Sequence, residues 1–126
     1  MRLTPSQSTH CIKALEPFTP AVIYVFGSYG TESQHAGSDL DIAFLPKTPI
    51  DAFHVFQIAN SLSSDLGIDV DLIDLSKAST VLRKEVIRTG EPIHIHHESI
   101  MRQFEMLTLA DYARLNEERH EILATR

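Results

Sequence analysis

Apolar and polar positions along this chain follow two rhythms. Val22-Ile23-Tyr24-Val25-Phe26 and Ile42-Ala43-Phe44-Leu45 are short apolar runs rich in β-branched and aromatic residues, which predicts two buried strands. From Ile68 to Leu75 the pattern alternates, with Ile68, Val70 and Leu72 on one face and Asp69, Asp71 and Ile73 on the other, a third strand. Elsewhere the period is helical. Thr4-Pro5-Ser6-Gln7 combines a capping box with proline at the first helical position, so a helix is expected to about Glu16, before Pro17 and Pro20. Asp51 caps a second helix that carries Phe53, Phe56, Ala59, Leu62 and Leu66 and stops at Gly67. A third begins at Ser76 or Ser79, runs through Leu82, Val86 and Ile87 and ends at Gly90. Glu91 to His96 predicts a short edge strand, and Glu98 to about Ala124 a long helix with Ile100, Phe104, Leu107, Tyr112 and Leu115 near one side.

This order predicts an α+β fold, a small mixed sheet with helices mainly on one face. Residues 1–96 would form the core, and 97–126 a C-terminal helix packed on it or at a partner interface. With 126 residues the chain can bury one core as a single domain. Pro46 and Pro49 close the second strand, while Tyr29 to Ser38, with Gly30, Ser33 and Gly37, is expected to be loop with one helical turn after Ser28.

Composition narrows the function. Apolar residues make up 43% and charged residues 22%, ordinary for a globular protein. No run approaches the ~20 apolar residues of a membrane span, and Met1-Arg2-Leu3-Thr4-Pro5 lacks the apolar centre of a signal peptide. Cys11 is the single cysteine, which fits a cytoplasmic location. A formal charge of −6 argues against a broad basic face for duplex nucleic acid, though a metal would bring positive charge for nucleotides.

The chemistry gathers at strand ends. Gly27-Ser28 follows the first apolar run, and after ten residues Asp39-Leu40-Asp41 opens the second. Alternation turns Asp39 and Asp41 to one face, where two carboxylates repel unless a cation lies between them. If the third strand lies alongside, Asp71 completes a three-carboxylate cluster suited to magnesium or manganese. Gly27 lets backbone approach a phosphate, and Ser28 with N–H groups of a following helix start would hold terminal phosphates. Asp69 shares the Asp71 face and stays an alternative third ligand, whereas Asp74 reads as a strand-end cap or solvated charge.

Gly27-Ser28, Asp39-x-Asp41 and Asp71 on a later strand resemble the signature of DNA polymerase β-like nucleotidyltransferases. Val70-Asp71-Leu72-Ile73-Asp74-Leu75 and Leu82 to Gly90 are similar to the minimal nucleotidyltransferase group, and within it to the MntA-type antitoxins of HEPN/MNT pairs. The resemblance covers roughly Val22 to Ile95. It implies ATP bound with Mg2+, with Mn2+ as a substitute, metal ligation by Asp39, Asp41 and Asp71, and AMP transfer to a tyrosine hydroxyl of a HEPN-domain ribonuclease toxin in a hetero-oligomer. A small-molecule acceptor such as an antibiotic, and a non-catalytic antitoxin that masks its partner, are the rival readings. The first would call for an acceptor-binding domain, for which little chain remains.

Other polar residues have plainer readings beside sharper ones. His94, His96 and His97 suggest a metal cluster, but exposed histidines of an edge strand are the favoured account, because no Cys or acidic ligand completes the spacing. Arg83, Lys84 and Arg88 could meet a triphosphate, yet such helical cations usually form a solvated face. His35 is favoured as a polar loop residue, and Tyr29 and Phe104 as packing. Leu109 falls off the Phe104/Tyr112 side of the last helix, hinting at a second contact face.

Overall fold

The structure, a computed structural model, describes residues 3–27 and 40–124. Ser28, Tyr29, His35, Asp39 and the helical turn expected after Ser28 lie outside these. The first helix, α1 (Pro5–Leu15), opens with the expected capping box: Thr4 Oγ1 accepts the Gln7 N–H at 3.1 Å, and Gln7 Oε1 accepts the Thr4 N–H at 2.9 Å. A 3-10 turn at Glu16–Phe18 leads into β1 (Pro20–Phe26). Then come β2 (Leu40–Pro46), α2 (Ala52–Leu66), β3 (Val70–Asp74), α3 (Thr80–Thr89), β4 (Glu91–Ile95) and α4 (Glu98–Ala124).

The strands form one mixed sheet in the order β3-β2-β1-β4. β1 is antiparallel to both β2 and β4, while β2 and β3 run parallel. A parallel neighbour requires a crossover, and α2 supplies it. Asp51 caps α2 by accepting the Phe53 N–H at 3.2 Å, and Gly67 ends it in a left-handed conformation, φ 71°. That turn takes Ile68 and Asp69 out of the strand, so β3 is shorter than the alternation alone predicts. α3 begins at the later of its two candidate caps, Ser79 accepting the Leu82 N–H at 3.1 Å.

Helices cover both faces of the sheet, not mainly one. Ile23, Leu40, Ile42, Phe44, Val70 and Leu72 pack with Cys11, Leu15 and Leu62 of α1 and α2. Val22, Tyr24 and Ala43 pack on the other side with Leu75, Val86 of α3 and Met101 of α4. The reason lies in β1 and β2, whose consecutive residues are almost all apolar and buried. A strand apolar on both sides needs two covers. Among the described residues no helix is long and apolar enough to cross a membrane.

Candidate active site

Register assembles the site. Phe26 pairs with Asp41 across the antiparallel β1–β2 ladder, and Asp41 pairs with Asp71 across the parallel β2–β3 ladder. One row therefore crosses three strands, with Gly27 immediately after it. Register neighbours on adjacent strands project to one face. For Asp41 and Asp71 this is the face of Ala43 and Ile73, which carries α3 and α4. Asp71 is exposed and Asp41 half-buried, so two carboxylates stand side by side with solvent access.

Gly27 fits under this pair because it lacks a side chain. Its φ is 79°, and a β-carbon built there would fall on Oδ2 of Asp41. The Asp41 carboxylate thus lies directly against the Gly27 backbone, which glycine alone permits at this φ. Among the described residues no group of three His, Cys, Asp or Glu side chains could hold a metal. Asp41 and Asp71 supply two oxygen donors of the kind a hard cation takes; Asp39 lies outside the described residues.

Asp69 sits apart from this row. Its carbonyl accepts the Leu40 N–H at 2.8 Å, and the residue lines a separate cavity of about 310 Å3 with Ser63, Gly67 and Ile68. Asp74 closes the strand: its Oδ1 accepts both the Ser76 N–H at 2.9 Å and the Ser76 hydroxyl at 2.6 Å.

The basic residues of α3 are engaged elsewhere. Arg83 donates from Nε to the Leu75 carbonyl at 2.8 Å and from a terminal nitrogen to the Ser76 carbonyl at 3.0 Å. Its guanidinium lies 5.8 Å from the Phe104 ring centre, so Arg83 fastens the β3–α3 connection. Lys84 stands 4.7 Å from the Tyr112 ring centre and 3.6 Å from Glu85. Arg88 pairs with Glu85 at 2.9 Å, and its hydrogen bond is the main reason the Glu85 carboxyl lies below its ordinary range. The histidines of the β4 edge stack on each other, His94 on His96 at 6.1 Å and His96 edge-on to His97 at 4.5 Å. Partial desolvation, with help from Lys47 and His96, holds His97 below its usual range.

Two features escape the sequence pattern. Tyr24, 1% exposed in the central strand, donates its hydroxyl to Glu105 of α4 at 2.8 Å. A tyrosine in an otherwise apolar run signals such a partner, but not which one. The second is a cavity of about 430 Å3 along the outer edge of β3, whose lining includes Phe56, Ala59, Asn60, Asp71, Leu72 and Lys77. Phe53 and Phe56 are 62% and 59% exposed. The signal was present: α2 carries more apolar positions than the stripe of Val55, Ile58, Ala59, Leu62 and Leu66 that meets the core.

A strand-end glycine against one of two register-paired carboxylates, on a small mixed sheet, is the arrangement expected from the resemblance to nucleotidyltransferases. The polymerase beta nucleotidyltransferase family matches residues 10–99, and the chain belongs to that family. It is similar to the protein adenylyltransferase MntA of Shewanella oneidensis, 38% identical over 114 residues that cover 89% of this chain and 81% of the relative. It is also similar to a chain of a toxin–antitoxin crystal structure with AMP-PNP: TM-score 0.82, 36% identity, 94% of this chain and 96% of that one. Another similar chain belongs to a tri-AMPylated Shewanella oneidensis HEPN toxin in complex with MNT antitoxin: TM-score 0.79, 34% identity, 95% of both chains.

Proposed function

We propose that this chain is a magnesium-dependent adenylyltransferase and an antitoxin, moving AMP from ATP to a tyrosine hydroxyl of a partner HEPN ribonuclease toxin. The observation that carries it is the Phe26–Asp41–Asp71 row with Gly27 closed against Asp41, in a chain similar to MntA over most of its length. Asp39, Asp41 and Asp71 are the metal-binding and catalytic carboxylates, and Gly27 and Ser28 take the phosphates of ATP. Magnesium, when bound, neutralises phosphate charge and favours the deprotonated acceptor hydroxyl.

In the transfer, the phenolic oxygen forms a bond to the α-phosphorus of ATP while the bond from that phosphorus to the bridging oxygen breaks. Pyrophosphate leaves, and the phenolic proton passes by way of the Asp71 carboxylate to solvent. Asp41, packed against the Gly27 backbone, is already in position for the step.

Residues 1–96 are the catalytic core. In the segment 97–126, α4 packs on α3 and β1 and turns Met106, Leu107 and Leu109, all exposed, toward the partner. We place the pair in the cytoplasm, where a buried, unpaired Cys11 is at home.

Incubation with magnesium, α-labelled ATP and the partner toxin tests this. Mass gained on the toxin in AMP units, absent with Asp41→Asn, is the expected result. Toxin neutralised equally by the Asp41→Asn protein would instead make this a masking antitoxin, and label found only on small molecules would make it an antibiotic-type transferase.

A further inference from the structure

The outer edge of β3 is an incomplete strand pairing beside a cleft. Leu40 donates to the Asp69 carbonyl and Leu75 to the Phe44 carbonyl. In a parallel ladder this fixes the parity: Asp71 and Ile73 bond to β2, while Val70, Leu72 and Asp74 present N–H and C=O away from it. The Val70 N–H confirms the direction, because it is capped from outside by Ser63 Oγ of α2 at 2.8 Å. At the other end the Asp74 carbonyl accepts the Lys77 N–H at 3.1 Å. Between these caps the N–H and C=O of Leu72 have no partner among the described residues. Proteins usually cover or blunt such an edge. Here it is instead flanked by the exposed ring of Phe56 and opens into the cavity of about 430 Å3.

We infer that this cleft receives an extended segment of the acceptor protein, which adds as a short strand on Leu72 and packs an apolar side chain against Phe56. This rests on the adenylyl-transfer reading above. The cleft shares Asp71 with the catalytic row and lies on the side of Asp71 away from Asp41. Transfer places the attacking and leaving oxygens roughly in line through phosphorus. A donor held at Gly27 and Asp41 therefore leaves the β3 side as the approach for the nucleophile. Main-chain pairing would supply affinity, and the apolar pocket beneath Phe56 the choice of side chain. Asp71 and Asp74 against the single ammonium of Lys77 favour a neutral or basic segment over an acidic one.

Phe56→Ser, at an exposed position, and Ala59→Arg, which fills the cleft wall, test the proposal with α-labelled ATP and the partner toxin. The expected result is a KM for the toxin raised by about tenfold or more, with the KM for ATP within about twofold of the original. Amide hydrogen exchange of the Asp41→Asn protein, with and without toxin, gives a readout independent of activity: the Leu72 amide should slow on complex formation. Transfer by the original protein with an unchanged toxin KM in both variants overturns the cleft and leaves adenylyl transfer standing. Unchanged Leu72 exchange in the complex overturns the strand pairing. No transfer to the toxin by the original protein overturns the underlying reading, and this inference with it.

Discussion

The Asp41 carboxylate occupies the space where a side chain on residue 27 would begin. Gly27→Ala thus sets a methyl group against the carboxylate proposed to be catalytic and places alanine at φ 79°, a conformation that costs a non-glycine residue about 1–2 kcal/mol. Adenylyl transfer should fall on the order of 100-fold or more, as for loss of a positioned catalytic group. The fold should survive with a modestly lower melting temperature. Transfer kinetics beside a circular-dichroism melt separate the two effects.

Asp71→Asn should divide activity from stability in the opposite sense. It removes a carboxylate proposed to be catalytic and relieves repulsion with Asp41, its register neighbour. Loss of transfer on the order of 100-fold to 10,000-fold is expected. Without added metal, the urea midpoint should stay level or rise. A clear fall in that midpoint would mean that the Asp71 carboxylate is needed for folding.

Tyr24→Phe removes the donor to Glu105 and leaves a half-buried carboxylate without it. A loss of about 1.5–3 kcal/mol is expected, the range for hydrogen bonds to charged groups, measured by urea denaturation. Because this bond ties α4 to the central strand, Glu105→Gln, which keeps an acceptor, should lose less.

Cys11 carries a pH signature. Burial pushes its thiol from the ordinary 9.0 up to about 11. A raised folded-state pKa favours the neutral form, so its stabilising contribution is complete below the unfolded value and is lost as pH rises through the folded one. Urea midpoints should therefore decline between pH 9 and 11. Cys11→Ala should remove part of that decline, Tyr24 supplying another part, since its hydroxyl is also raised by burial and by Glu105. Native Cys11 should resist alkylation at pH 8 and react once urea is added.

Much of this molecule was legible in the chain because its local signals agree. Thr4-Pro5-Ser6-Gln7, Asp51 and Ser79 each start a helix and Gly67 ends one, as their chemistry demands. The Asp41 and Asp71 strands could be predicted, but their adjacency could not, since register is a property of the assembled sheet. The second helical layer was missed because the apolar runs of β1 and β2 show that both faces are buried without showing what buries them. Arg83 could not be assigned from its own segment either. Its carbonyl partners, Leu75 and Ser76, belong to the preceding turn, and helical cations without such partners look the same in sequence.

The β2–β3 pairing has a consequence for the order of events during folding. β1 and β2 are antiparallel, whereas β3 joins only after α2 has crossed back and brought residue 71 beside residue 41. Parallel pairings of this separation form late, because loop closure must precede any contact that rewards it. A chain with β1 and β2 zipped but β3 still free has Gly27 and Asp41 in place and lacks Asp71. Competence for transfer is thus delayed until β3 docks, and the first turnover doubles as a clock for the β2–β3 pairing.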